Sequence, residues 1–280
     1  MGRIDDAPDG PRPVRTVAYG PHPSQAGELH LPQGEGPFPV VVLMHGGFWT
    51  ALFDRRQVVG LADDLGYAVW NIEFRRIGES GGGWPGTFLD VAAAVDAVAG
   101  IDLSVGAGKV VVVGHSAGGQ LATWAAHRSV LPPAAPGANP RVEPIGAVSL
   151  AGVLDLVAAD TAKLGSSLAD PDAEPSADAP EPSDPAVRPA VAAEVTDGVA
   201  RVLLGGTAVD VSDHYSQASP TRLPPADVPV LVIHGADDEV AAPSYSRAYA
   251  DAQSARGADV RFVEVPETTH FDVIDPASPS

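Results

Sequence analysis

The sequence predicts an α/β protein with a mostly parallel, doubly wound sheet of about eight strands. Three features carry this. Short runs of continuous apolarity recur along the chain, each closed by a turn signal; helical stretches separate them; and a serine flanked by glycines, Gly114-His115-Ser116-Ala117-Gly118, joins one run to one helix. Continuous apolarity is the pattern of strands buried on both faces, and strand–helix alternation is what parallel pairing requires.

In chain order, Val14–Tyr19 and Glu28–Leu31, separated by Pro21-His22-Pro23-Ser24, read as an antiparallel hairpin at the sheet edge. The runs Val40–Met44, Tyr67–Ile72, Val110–Val113, Ile145–Leu150, Val230–His234 and Val260–Val265 are of strand length. Arg56–Leu65, Phe88–Ala99, Gln120–Arg128 and Ser244–Ala255 read as the intervening helices. The long gap between the fourth and fifth of these runs makes residues 152–224 a cap-like insertion into a single domain spanning 1–280. Within it, Asp170 to Pro189 shifts to proline, alanine and acid, the composition of a disordered surface insertion.

With 280 residues the chain is long enough to bury a large α/β core. It contains no cysteine, so disulfides, thiol nucleophiles and cysteine-bound zinc are excluded and a nucleophile must be oxygen or nitrogen. A net charge of −19, with lysine only at Lys109 and Lys163, argues against nucleic acid as a partner. No apolar run approaches the roughly 20 residues of a membrane span, and the start Met1-Gly2-Arg3-Ile4 lacks the apolar core of a signal peptide, so the expectation is a cytoplasmic protein that does not engage a membrane.

The serine pentapeptide gains its weight from context. Between a strand and a helix, G-x-S-x-G forces a sharp, strained turn, and the small residues on either side let strand and helix approach closely enough to present the hydroxyl. Ser116 is therefore the candidate nucleophile. A serine hydroxyl needs an adjacent base, itself oriented by a third group, and after an elbow of this kind the acid and then the histidine follow in the chain. Of the eight histidines only His270 lies beyond Val230–His234, in a loop after the last strand, where it returns over Ser116. The acid belongs in His234-Gly235-Ala236-Asp237-Asp238, where two adjacent aspartates compete. Oxyanion donors are expected from Ala117 and from the loop after Val40–Met44, His45-Gly46-Gly47-Phe48-Trp49, in which Gly46, Gly47 or Phe48 supplies the second N–H. Phe48 and Trp49 are also candidate walls of an apolar acyl pocket.

Together, His45-Gly46-Gly47-Phe48-Trp49, Gly114 to Gly119, His234 to Asp238 and His270-Phe271-Asp272 resemble the α/β-hydrolase superfamily over nearly the whole chain. Within it the H-G-G-aromatic-W loop and the serine elbow are similar to kynurenine formamidases and related bacterial esterases. The resemblance implies an α/β-hydrolase fold with a cap insertion. It also implies Asp238, the fifth residue of H-G-x-x-D, as the acid. The implied activity is that of a serine hydrolase without cofactor or metal, cleaving a small ester or amide through an acyl-enzyme. Arylformamidase action on N-formylkynurenine is the specific alternative, and a non-catalytic ligand-binding role is the alternative of another class. Two departures stand out: the chain runs only ten residues past His270, so a closing helix is expected to be short or absent, and the acidic Pro-rich stretch lies outside the shared pattern.

Other motifs fail on context. Gly81-Gly82-Gly83-Trp84-Pro85-Gly86 matches G-x-G-x-x-G, but Arg75 to Ser80 separate it from the preceding strand and Pro85 lies within it, so it reads as a mobile loop near the rim of the site. No P-loop and no H-E-x-x-H metal motif is present. Arg75 reads as a structural ion-pair residue rather than a substrate clamp.

Overall fold

The computed structural model describes residues 14–32, 38–65, 67–101, 109–170 and 186–278. Eight strands form one sheet: β1 Val14–Ala18, β2 Ala26–His30, β3 Val40–Met44, β4 Ala68–Ile72, β5 Val110–His115, β6 Gly146–Leu150, β7 Val230–Gly235 and β8 Val260–Val265. Their order is β1-β2-β4-β3-β5-β6-β7-β8. The pairs β1–β2 and β2–β4 are antiparallel and every other pair is parallel, which is the fold the sequence predicts. The helices are α1 Val59–Asp64, α2 Gly86–Ala97, α3 Ala117–Ala126, α4 Leu156–Thr161, α5 Val187–Glu194, α6 Val199–Leu204, α7 Ser212–Ala218 and α8 Ser244–Ser254.

The topology fixes where chemistry can occur. From β3 the chain steps to β4 on one side and then crosses to β5 on the other, so β3 and β5 are neighbours with connections leaving in opposite directions. That reversal opens a crevice at the strands' carboxyl ends, where ligands of open α/β sheets bind. Met44 pairs with Gly114 in the register, which sets the loop after β3 beside the turn after β5.

Side chains alternate between two layers. Val40, Val42 and Met44 of β3, Trp70 of β4 and Val112 of β5 face a large core shared with α2, α3, α8 and the segment between β6 and β7. Val41, Leu43, Val69 and Val113 face a smaller one, covered by Val58 and Ala62 from α1 and its approach and by Val273 and Ile274. After His270 the described residues form a 3-10 turn, Asp272–Ile274. Buried tryptophans keep their indole N–H satisfied, Trp70 on the Ala94 carbonyl (3.0 Å) and Trp124 on that of Gln217 (2.9 Å).

Three expectations change in detail. The helix after Ser116 starts at Ala117 rather than Gln120, because the elbow feeds directly into it. The glycine loop is a close-packed turn into α2: the Trp84 N–H meets the Leu203 carbonyl at 2.6 Å, and a Cβ on Gly82 would lie 1.9 Å from the Arg76 carbonyl oxygen. Of the segment expected to be disordered, 171–185 lies outside the described residues, and Val187–Pro189 begin α5. Arg75 forms a forked ion pair with Asp90, Nε to Oδ2 at 2.8 Å and Nη2 to Oδ1 at 2.7 Å, with the chain's turn after β4 held between them.

Candidate active site

Ser116 sits at the carboxyl end of β5 with φ 54° and ψ −118°, a conformation a non-glycine residue adopts only under constraint. The constraint is visible. The Ser116 N–H donates to the Leu150 carbonyl of β6 at 2.8 Å, and its own carbonyl accepts from Gln120 N–H at 3.1 Å as α3 begins. A Cβ on Gly118 would lie 2.2 Å from the Met44 carbonyl oxygen, so only glycine lets the first turn of α3 press against the end of β3. Ala117 is the first residue of that helix, so its N–H has no intrahelical acceptor.

The structure brings His270 to Asp238: Nδ1 and Oδ2 are 2.6 Å apart. The competing Asp237 is exposed and, among the described residues, bonds only through its backbone N–H, to the Thr268 carbonyl. Asp238 is built into its turn, with Oδ1 accepting from the N–H groups of Val240 (2.9 Å) and Ala241 (2.8 Å). Its Oδ2 also faces Nε2 of His234 at 3.0 Å. Burial by itself raises the Asp238 pKa; hydrogen bonds from His234 and His270, the charge of His270 and the Ala241 N–H outweigh it and hold the carboxyl well below the usual range. An open cavity is lined by Asp238, His270 and Phe271 together with the exposed Asp237 and Glu239.

His270 is tied to the elbow through its backbone. His115, immediately before Ser116, has Nε2 2.9 Å from the His270 carbonyl oxygen, and the two rings lie 4.6 Å apart. A carbonyl only accepts, so Nε2 of His115 carries the proton. Burial, and then the neighbouring His270, push the His115 pKa down to about 3, so this ring stays neutral beside His270.

The loop after β3 is strained and heavily anchored. Gly47, Phe48 and Trp49 all have positive φ (99°, 57°, 56°), and a Cβ on Gly47 would fall 2.2 Å from that of Phe53. His45 bonds Glu73 Oε1 through Nε2 and the Gly46 carbonyl through Nδ1, both at 2.7 Å, and stacks on Phe74. Glu73 is buried, which raises its pKa, but the charge and hydrogen bond of His45 and the charge of Arg76 outweigh this and lower it. The Gly47 carbonyl accepts from Thr50 N and Oγ1, each at 3.0 Å.

Among the candidate oxyanion donors, the structure separates Gly46 from the rest. Its N–H donates to Gln57 Oε1 at 2.6 Å, whereas those of Gly47 and Phe48 meet no acceptor among the described residues. Gly46 nonetheless lies against the elbow, since a Cβ there would be 3.0 Å from Ser116 Cβ. Phe48 is half-buried next to Gly165. Trp49 is fully buried in the core, its indole N–H donating to Gln120 Oε1 at 3.0 Å, so it supports the loop from below.

Sequence reasoning passed over Gln57, Glu73, Gln120, His115 and His234 as contributors to this site. Glu73 had a positional signal, since it follows the carboxyl end of β4 at the edge where His45 follows β3. Gln57 had none: it lies in a short 3-10 turn eleven residues from its partner. Among the described residues no group of three His, Cys, Asp or Glu is placed to hold a metal ion, and no helix is long and apolar enough to cross a membrane.

Solved structures share this fold. A carbohydrate esterase from gut microbiota, solved in truncated form, superposes with a TM-score of 0.70 at 19% identity, covering 98% of this chain and 94% of that one. Esterase B from Lactobacillus rhamnosus gives 0.66 at 20% identity, covering 95% and 81%. An esterase from Pyrobaculum calidifontis gives 0.65 at 20%, covering 97% and 81%. At these identities the likeness concerns the fold. No curated protein matches the sequence. Residues 41–278 match the model of the alpha/beta hydrolase family, and the chain belongs to that family.

Proposed function

We propose that the protein is a serine hydrolase that cleaves a small carboxylic ester through an acyl-enzyme. The observation that carries this reading is the His270 Nδ1–Asp238 Oδ2 contact of 2.6 Å on a loop bonded to the residue preceding Ser116. Ser116 Oγ attacks the acyl carbonyl while His270 takes its proton through Nε2; Asp238 keeps the other proton on Nδ1 and stabilises the imidazolium that forms. The N–H groups of Ala117 and Gly47, joined by that of Phe48, receive the oxyanion, each donor being worth about 3 kcal/mol in the transition state. His270 then protonates the leaving group, and a water deprotonated by the same ring releases the acid.

Structural neighbours named as esterases favour an ester over an amide. The His45-Gly46-Gly47-Phe48-Trp49 loop keeps N-formylkynurenine as the second substrate to try. The test is direct. Ser116→Ala should abolish turnover of p-nitrophenyl acetate, and a fluorophosphonate should label Ser116 in the wild-type protein; retained turnover, or a label on another serine, overturns the reading. Side-by-side kcat/KM values for p-nitrophenyl acetate, a long-chain p-nitrophenyl ester and N-formylkynurenine assign the acyl group.

A further inference from the structure

The acid of the candidate site is shared. Asp238 Oδ2 lies 2.6 Å from His270 Nδ1 and also 3.0 Å from Nε2 of His234, a fully buried residue near the end of β7. The same Nε2 lies 2.8 Å from the Ala241 carbonyl. Both of those oxygens only accept, so Nε2 carries a proton. The other ring nitrogen, Nδ1, is 2.8 Å from Oγ of Ser246 on α8, and that hydroxyl is 3.2 Å from the Gly152 carbonyl. A Ser246 hydroxyl turned to Nδ1 makes that nitrogen an acceptor and favours the tautomer with the His234 proton on Nε2, which the Nε2 contacts require.

We propose that His234 is a positioning residue of this site, donating to the very oxygen that receives the His270 Nδ1–H and thereby setting how much negative charge that oxygen offers the base. The inference rests on the reading of Ser116, His270 and Asp238 as nucleophile, base and acid. With two donors on one oxygen, Asp238 cannot rotate Oδ2 away from His270, and its charge is divided between two N–H groups. The proton taken from Ser116 stays on His270. Ser246 acts one bond further out by fixing which nitrogen of His234 donates.

Other titratable or charged groups border this chain without replacing the donor. His115, at the end of β5, packs its ring on His270 and bonds the His270 carbonyl. Asp237 and Glu239 flank Asp238 with exposed side chains. Glu264 of β8, opposite His234 in the register, is paired with Arg247 of α8. Tyr245, beside Ser246, is buried, and Asp272 is held by Thr269.

The experiment is the pH profile of kcat/KM for p-nitrophenyl acetate in His234→Phe, His234→Gln and Ser246→Ala. Phenylalanine keeps the ring volume and removes the donor. Asp238 stays anchored by Val240 and Ala241, so its Oδ2 gains charge, His270 holds its proton more strongly and the acid limb moves to higher pH by about half a unit or more. The loss in kcat is about tenfold, the scale seen when a hydrogen-bond partner one bond removed from reacting groups is lost. Glutamine places an N–H at similar reach and returns the limb to the wild-type position. Ser246→Ala shifts it in the same direction by less, and supplies the test if His234→Phe does not fold. An acid limb that is unmoved or moved down in the donor-lacking variants, or a limb that glutamine does not restore, overturns the proposal. If Ser116→Ala retains turnover, the underlying triad reading fails instead; if it is inactive while the His234→Phe profile superposes on wild type, only the role of His234 falls.

Discussion

The Nε2–H of His115 donates to the carbonyl oxygen of His270, 155 residues later in the chain, so the residue next to the candidate nucleophile holds the backbone of the candidate base. The contact joins β5 to the loop after β8, two strands of the sheet that are not neighbours. Its geometry gives the position of His270 a cause other than its own side-chain bond to Asp238.

Replacing His115 by phenylalanine therefore separates position from packing. The ring is kept and the donor lost, leaving a buried carbonyl short of a partner at a cost of about 1–3 kcal/mol. Urea denaturation should show that loss, and kcat should fall by about tenfold because near-attack geometry is disturbed. An unchanged kcat would show that Asp238 alone orients the base.

Acid should weaken the fold through its buried histidines. Burial lowers the pKa of His115 to about 3 and that of His127 to about 4, against 6.5 in the unfolded chain. Between those values the unfolded state binds protons that the folded state refuses, so stability falls as pH drops through 6.5, by up to about 1.4 kcal/mol per pH unit for each ring. The loss continues until the folded rings titrate. Asp238 adds the same sign lower down: its depressed pKa gives stability that is present above 3.8 and lost as pH falls toward the folded value. Urea melts at pH 7.0, 5.5 and 4.5 measure the slope, and His127→Gln should reduce it. A flat profile over this interval would contradict neutral burial of both rings.

Gln57→Leu removes the acceptor that holds the Gly46 N–H at 2.6 Å. The freed amide lies beside Ser116, and the strained Gly47-Phe48 peptide loses one of its anchors. The expected result is a drop in kcat of about tenfold with little change in KM, since oxyanion alignment acts in the transition state. Steady-state kinetics with p-nitrophenyl acetate give the split; an altered KM at constant kcat would place Gln57 in ground-state binding.

Gly118→Ala tests the elbow's packing independently of activity. The added Cβ would lie 2.2 Å from the Met44 and 2.4 Å from the His45 carbonyl oxygen, and backbone has little room to yield. Destabilisation of about 3 kcal/mol or more is expected, read as a lower urea midpoint. A midpoint within error of wild type would mean that α3 can shift along β3 without penalty.

The legible parts of this protein are those whose physics is local. Val40–Met44 was readable to the residue because a central parallel strand is a continuous apolar run, and the β1–β2 hairpin because its turn is rich in proline and serine. Between β6 and β7, α4, α6 and α7 are only six or seven residues long, too short for an apolar period to emerge, and they hold together through tertiary contact. At the site, chain order picked out Ser116 and His270, but spacing alone left Asp237 and Asp238 level, because neighbouring turn residues differ only in the direction they face. Trp49 shows the same limit from the other side: an aromatic beside a Gly-Gly turn can point into a crevice or into the core, and the positive φ that turns it inward is a property of the folded loop.

Gln120 bears on how far this scaffold can be rebuilt. One end of its amide takes the Trp49 indole N–H, and the other donates to the Ala218 carbonyl at 2.9 Å, so a single side chain clips the segment between β6 and β7 to the loop beside Ser116. Exchanging residues 152–224 for a segment of different length then has to reproduce this point, along with the Gln217 and Leu203 carbonyls that meet Trp124 and Trp84. A transplanted segment that offers a backbone carbonyl at the Ala218 position inherits an intact loop; one that does not leaves the Gln120 amide donor unmet and releases the floor under Trp49.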